Sequence, residues 1–125
     1  RSRQTVDWIA AKADGWFYYF VPAEHVPALT RVWREALDEI GGRELFKPFA
    51  QGLFFELASD PAQPPRPIHA GLSCGRRALV DYLGQLQEAG VNHLALNLRP
   101  SRRPASEVVQ ELGEFVLPQF PSLQP

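Results

Sequence analysis

Apolar residues recur along the chain at two alternating periods, one typical of helices and one typical of strands. Helical spacing, with stop signals such as Gly15, Gly41 and Gly90, predicts four helices. Short continuous apolar or aromatic runs between them predict three strands. The predicted helices cover 2–13, 22–40, 75–89 and a last helix opened by Pro104, and the predicted strands cover 16–20, 49–57 and 91–98.

Helices that alternate with strands predict an α/β fold with right-handed βαβ units and parallel strands. The first predicted strand is apolar on both faces, and so is the second until Glu56, as in a sheet that helices cover. Three strands cannot close a barrel, so the chain is expected to form either a small open sheet or the last third of a (β/α)8 barrel. The absence of an initial Met favours the second interpretation, in which the chain is cut from something longer and is incomplete when isolated.

A proline-rich stretch at 59–74 interrupts this alternation. Pro61, Pro64, Pro65 and Pro67 predict a loop without regular structure. Its length exceeds that of most connections, which leaves a functional loop and a disordered segment as the two alternatives.

Composition narrows the class of protein. The chain has 125 residues and a formal net charge of -1, so no positive field favours nucleic acid or an anionic membrane. Its apolar runs are far shorter than the roughly 20 residues of a membrane helix. The single Cys excludes an internal disulfide and a zinc site built mainly on thiolates. We therefore expect one cytoplasmic domain over 1–125, with no metal.

Several short segments of the chain stand in the order and at the spacing of one known family. They are SRQTVDWIA from Ser2, ADGW from Ala13, KPFAQ from Lys47, PIH from Pro67, AGVNH from Ala89 and ALNLR from Ala95. In these segments the chain is similar to the part that follows the fifth strand in luciferase-like flavin monooxygenases, and most similar to bacterial luciferase-type oxidoreductases of unassigned substrate. The resemblance covers nearly the whole chain.

This resemblance implies a TIM barrel that binds reduced FMN at the carboxyl ends of its strands. The chain would supply strands six, seven and eight of the parent monooxygenase. The parent would use FMN reduced by a separate reductase, O2 and a small organic substrate of unknown identity. The chemistry belongs to the flavin, and no catalytic residue is evident in the sequence. Because strands one to five would be absent, the isolated chain is expected to be inactive.

The resemblance points to Ser2, Arg3 and Gln4 as residues that hold the FMN phosphate. A helix N-terminus offers free N–H groups and a positive dipole end, which suit a phosphate. The alternative is that Ser2 caps the helix and that Arg3 is solvated.

Three further residues lie at predicted strand ends, where barrel enzymes place their chemistry. Tyr18 is expected to line the flavin ring, with core packing as the alternative. Asn97 and Arg99 are expected to hold an anion or a flavin carbonyl, with a helix cap or an ion pair as the alternative.

A different class of function is also open. An unclosed sheet exposes strand edges and an apolar face, so the chain is also interpretable as a non-catalytic module. It would form homo-oligomers through those edges, or associate with the absent N-terminal part.

Overall fold

The computed structural model describes residues 3–122 and shows an α/β fold. Within these residues, four helices and five strands follow one another. The helices are α1 (Val6–Lys12), α2 (Val26–Gly41), α3 (Arg76–Glu88) and α4 (Ala105–Phe115), and single 3₁₀ turns lie at Ala23–His25 and Leu117–Gln119. The strands are β1 (Trp16–Tyr18), β2 (Phe49–Leu57), β3 (Arg66–Ile68), β4 (Gly71–Cys74) and β5 (His93–Asn97).

The predicted alternation of helices and strands is confirmed, most closely at β2, whose bounds equal the predicted 49–57. Odd-numbered residues of β2 are buried and even-numbered residues are half-buried. Successive side chains of a strand point to opposite faces. One face of β2 is therefore better covered than the other.

The prediction of a loop without regular structure at 59–74 is wrong. Its second half forms β3 and β4, joined by a tight turn in which Ala70 has a φ of 51°. Pro67 lies within β3, and β3 ends the strand order β1-β2-β4-β3. An edge strand tolerates proline because one side of it has no neighbour that needs its N–H.

The sheet is mixed, which corrects the expectation of parallel strands only. β1 and β4 each pair parallel with β2, and β5 also pairs with β2. β3 pairs antiparallel with β4, because a two-residue turn can only return the chain antiparallel. Gly71 begins β4, and a Cβ there would lie 1.8 Å from the Phe54 carbonyl oxygen, so the pairing requires glycine.

The structure divides into two compact units, and the described part of the first comprises residues 3–52 and 85–95. Its core is rich in aromatic rings. The ring of Trp16 lies 5.6 Å from that of Trp33 and 5.6 Å from that of Phe49. Trp33 and Phe49 are almost fully buried, so β1, α2 and β2 meet through these rings.

The described part of the second unit comprises residues 53–84 and 96–122. Its core is mainly aliphatic and joins β2, β4, α3 and α4. The buried members of this cluster are Phe55, Leu57, Cys74, Leu79, Val108 and Val116.

Candidate functional site

A cleft of about 280 Å³ in the first unit lies between the start of α1 and the carboxyl end of β1. Gln4 and Tyr18, both predicted to bind the cofactor, line this cleft together. Ile9, Trp16, Phe17 and Tyr19 supply most of the remaining wall. The cleft is thus largely aromatic, with an amide at one side.

Tyr18 is held by neighbouring rings. Its ring lies 5.2 Å from Trp16 in an edge-on arrangement, 4.9 Å from Tyr19 and 6.5 Å from Phe49. Aromatic pairs at these separations stabilise one another beyond the area they bury. Tyr18 therefore takes part in core packing, as the alternative interpretation stated, and also borders the cleft.

The helix that was expected to bind phosphate begins later than predicted. The first turn starts at Val6, and Thr5 is its N-cap, with Oγ1 accepting a hydrogen bond of 3.2 Å from the Trp8 N–H. The N-cap of this helix is therefore Thr5, three residues later than the sequence pattern predicts, and Ser2 lies outside the described residues. Arg3 and Gln4 are exposed and precede the helix.

Gln51 supports the same end of β1, and the sequence analysis missed it. It is fully buried, and its Nε2 donates a hydrogen bond of 3.3 Å to the Tyr19 carbonyl. Its Oε1 has no hydrogen-bond partner among the described residues. The sequence contains a signal for it, because Gln51 is a polar residue in a strand that is otherwise apolar until Glu56.

Asn97 and Arg99 lie in the second unit, at the end of β5, and both are exposed. Asn97 Oδ1 accepts a hydrogen bond of 3.0 Å from the Arg99 N–H. A side chain that bonds two residues ahead closes an Asx turn. Asn97 therefore shapes the turn that presents Arg99.

A charged cluster in the second unit surrounds Glu56, near the carboxyl end of β2. Glu56 Oε1 accepts hydrogen bonds from Ser73 Oγ at 3.1 Å and from Arg66 Nη2 at 3.4 Å. Arg102 Nε lies 3.6 Å from Glu56 Oε2. The sequence analysis named none of these as a binding residue, since their partners are distant along the chain.

Two other reactive side chains of the second unit, Cys74 and Tyr82, are at least half-buried, whereas His69 is exposed. Burial raises the pKa of Cys74 to about 11, so the thiol remains protonated and unreactive at neutral pH. Burial, with a smaller contribution from Cys74, raises the pKa of Tyr82 to about 12. His69, in the turn between β3 and β4, stacks on Phe54 with their ring centres 6.5 Å apart.

None of the helices described within residues 3–122 combines the length and the apolar composition that a membrane span needs. Within the same range, no group of three or more His, Cys, Asp or Glu side chains has the arrangement needed to hold a metal ion.

Comparison with known proteins adds no relative. No protein-family model matches the chain, and no curated protein sequence matches it.

Proposed function

We propose that this chain is the C-terminal part of a luciferase-like (β/α)8 barrel whose parent is a cytoplasmic FMN-dependent monooxygenase. The observation that carries the proposal is the cleft in the first unit, which Gln4 and Tyr18 line together at the carboxyl end of β1. Ligand sites of α/β barrels lie at this end of the strands. The parallel pairing of β1 with β2 also supports a barrel segment.

The residues of the cleft fit part of a flavin. Its aromatic walls suit the planar isoalloxazine ring, and the neighbouring Arg3 and Gln4 offer donors to a phosphate. At about 280 Å³, the cleft is at the small end of the roughly 300–1,000 Å³ of ligand sites. It therefore accommodates a portion of FMN, and residues of the remaining barrel would complete the pocket.

In this proposal the chain binds and orients the cofactor. Reduced FMN, supplied by a reductase, provides the reaction with O2 and with a small organic substrate. Tyr18 would border the ring, Gln51 would keep the backbone at Tyr19 in place, and Arg3 would balance the phosphate charge. Asn97 and Arg99 stay predicted binding residues of the second unit.

Titration of the chain with FMN, followed by flavin fluorescence, tests the proposal. We expect saturable quenching in the micromolar range that is lost in Arg3→Ala and weakened in Tyr18→Ala. Arg31→Ala is the matched control, because Arg31 is an exposed arginine of the same unit and lies on α2. Absence of quenching at millimolar FMN would overturn the proposal.

A second candidate function is association without catalysis, and the exposed aromatic residues of the first unit favour it. Phe17 is 63% exposed, Tyr19 57% and Trp8 51%. Phe17 and Tyr19 line the same cleft, and large exposed apolar side chains that lie together mark interaction surfaces. The partner would be a second copy or the N-terminal part of the barrel.

Sedimentation velocity over a range of concentrations tests this second candidate. We expect a self-associating species that Phe17→Ser returns to the monomer. A monomer at every concentration, with no change on addition of the N-terminal part, would exclude association.

A further inference from the structure

We propose that Arg66 and Arg102 form a binding site for a small oxyanion group, a carboxylate or a phosphate, beside Glu56. Both arginines contact the same carboxyl group, Arg66 at Oε1 and Arg102 at Oε2. One small anion can therefore reach both guanidinium groups. This site lies in the second unit and does not depend on the proposed flavin cleft.

Backbone pairing holds the acidic side of this site in place. Glu56 is opposite Ser73 in the parallel pair β2–β4, and Arg66 is opposite Ser73 in the antiparallel pair β3–β4. Side chains opposite one another on neighbouring strands share a face. Glu56, Ser73 and Arg66 thus form one row across three strands, and the arrangement requires no ligand to assemble.

Glu56 is already well supplied with donors. Its side chain is only 16% exposed, and it accepts hydrogen bonds from Ser73 and Arg66 while Arg102 lies close by. Ser73 is itself buried. The carboxylate therefore has little remaining capacity for a ligand hydroxyl or a cation.

Arg66 and Arg102, unlike Glu56, have most of their hydrogen-bonding capacity unused by the protein. The Arg66 side chain is 60% exposed and makes one long hydrogen bond to Glu56, and the Arg102 side chain is 90% exposed with its closest carboxylate atom 3.6 Å away. A guanidinium group carries five N–H donors. Most N–H donors of both guanidinium groups consequently face solvent beside the Glu56 carboxylate.

The charge balance selects the class of ligand. Two guanidinium groups and one carboxylate leave a net charge of about +1 at neutral pH. Guanidinium groups recognise carboxylates and phosphates through paired hydrogen bonds. An anionic group is therefore favoured over a cationic or neutral one, and Glu56 sets the spacing of the two arginines.

Nuclear magnetic resonance titration of the whole chain with inorganic phosphate, and separately with acetate, tests the inference. We expect saturable shifts at the amides of β3, β4 and the turn that holds Arg102. Arg102→Ala and Arg66→Ala are each expected to weaken the affinity at least tenfold. Arg77→Ala is the matched control and should leave it unchanged, because Arg77 is an exposed arginine of the same unit on α3.

Glu56→Gln provides the decisive variant. An amide keeps a hydrogen-bond acceptor for Ser73 but removes the negative charge that competes with the anion. We expect Glu56→Gln to bind phosphate several-fold more tightly than the natural chain. Weaker binding in Glu56→Gln with an unchanged fold, or no saturable binding of either anion to the natural chain, would overturn the inference.

Two flavins separate the possible sources of the anion. Shifts at this site caused by FMN but not by riboflavin, and removed by Arg102→Ala, would assign the oxyanion to the flavin phosphate. Shifts caused by acetate or phosphate, with FMN acting only at the cleft of the first unit, would assign it to another ligand. If FMN does not bind to the cleft of the first unit, the titration with inorganic phosphate still tests the site at Arg66 and Arg102.

Discussion

The two units use different contacts to hold their loops and helices. In the first unit, polar side chains bind backbone carbonyls: Lys47 Nζ donates to Ala10 O at 2.6 Å and to Ala13 O at 2.8 Å. In the second unit, charged side chains bind one another, and Arg103 Nη2 lies 2.9 Å from Glu111 Oε1. The first unit thus fixes its loops mostly without charge pairs, whereas the second depends on them.

This difference separates what each unit is suited to bind. Aromatic packing in the first unit leaves ring-lined walls around a small cleft, which suits a planar apolar group. Paired charges in the second unit leave exposed guanidinium groups, which suit an anion. Salt also distinguishes them, because ions screen charge pairs near the surface much more than packed rings.

The largest expected effect is the loss of a core ring from the second unit. Phe55 is fully buried in its aliphatic cluster, so Phe55→Ala is expected to lower the free energy of unfolding by about 3–5 kcal/mol. Urea unfolding followed by circular dichroism measures the change. Phe17→Ala is the control, since Phe17 is 63% exposed, and a similar loss in both variants would contradict the assignment of the core.

A smaller loss of stability is expected when a charge pair of the second unit is removed. Glu111 contacts both Arg103 and Arg76, and its side chain is 13% exposed. Glu111→Gln leaves Arg76 without its carboxylate partner and leaves Arg103 with only the more distant Glu107. We expect the free energy of unfolding to fall by about 2 kcal/mol.

The matched control for this loss is Glu107→Gln. Glu107 is 60% exposed and lies 4.0 Å from Arg103, so its expected contribution is about 0–0.5 kcal/mol. Urea unfolding of both variants should be repeated in high salt. We expect salt to reduce the difference between their free energies of unfolding. An equal loss in Glu111→Gln and Glu107→Gln would contradict this prediction, since it would make Glu111 equivalent to an exposed surface charge.

The sequence predicted elements well where one local signal dominates. β2 is a long apolar run, and its bounds emerged correctly because no competing pattern lies within it. The first residue of α1 was harder to predict, since Ser2 and Thr5 are both good N-cap residues and lie three residues apart. The strand at Pro67 was missed because proline argues against regular structure unless the strand lies at an edge.

The candidate binding residues also differ in whether the sequence could predict them. The resemblance points to Gln4 and the predicted strand end points to Tyr18, and both residues line one cleft. The site at Glu56 was not found, because Arg66 and Arg102 are 10 and 46 residues away along the chain. Only strand register and the return of the chain after β5 bring these side chains together.

Apart from the controls, the smallest loss of stability is expected in the first unit, where a lysine side chain binds backbone carbonyls. Lys47→Met removes the two hydrogen bonds that tie the segment before β2 to the last turn of α1. We expect a loss of about 1–2 kcal/mol, because each carbonyl regains part of its bonding from water.

Lys12→Met is the control for Lys47→Met, since Lys12 is an exposed lysine of α1. Hydrogen exchange at the α1 amides should rise in Lys47→Met only. The loss should also be less sensitive to salt than that of Glu111→Gln, because Lys47 is bound to neutral carbonyls. Equal salt dependence in the two variants would remove the distinction between the units, since it would make Lys47 another surface charge.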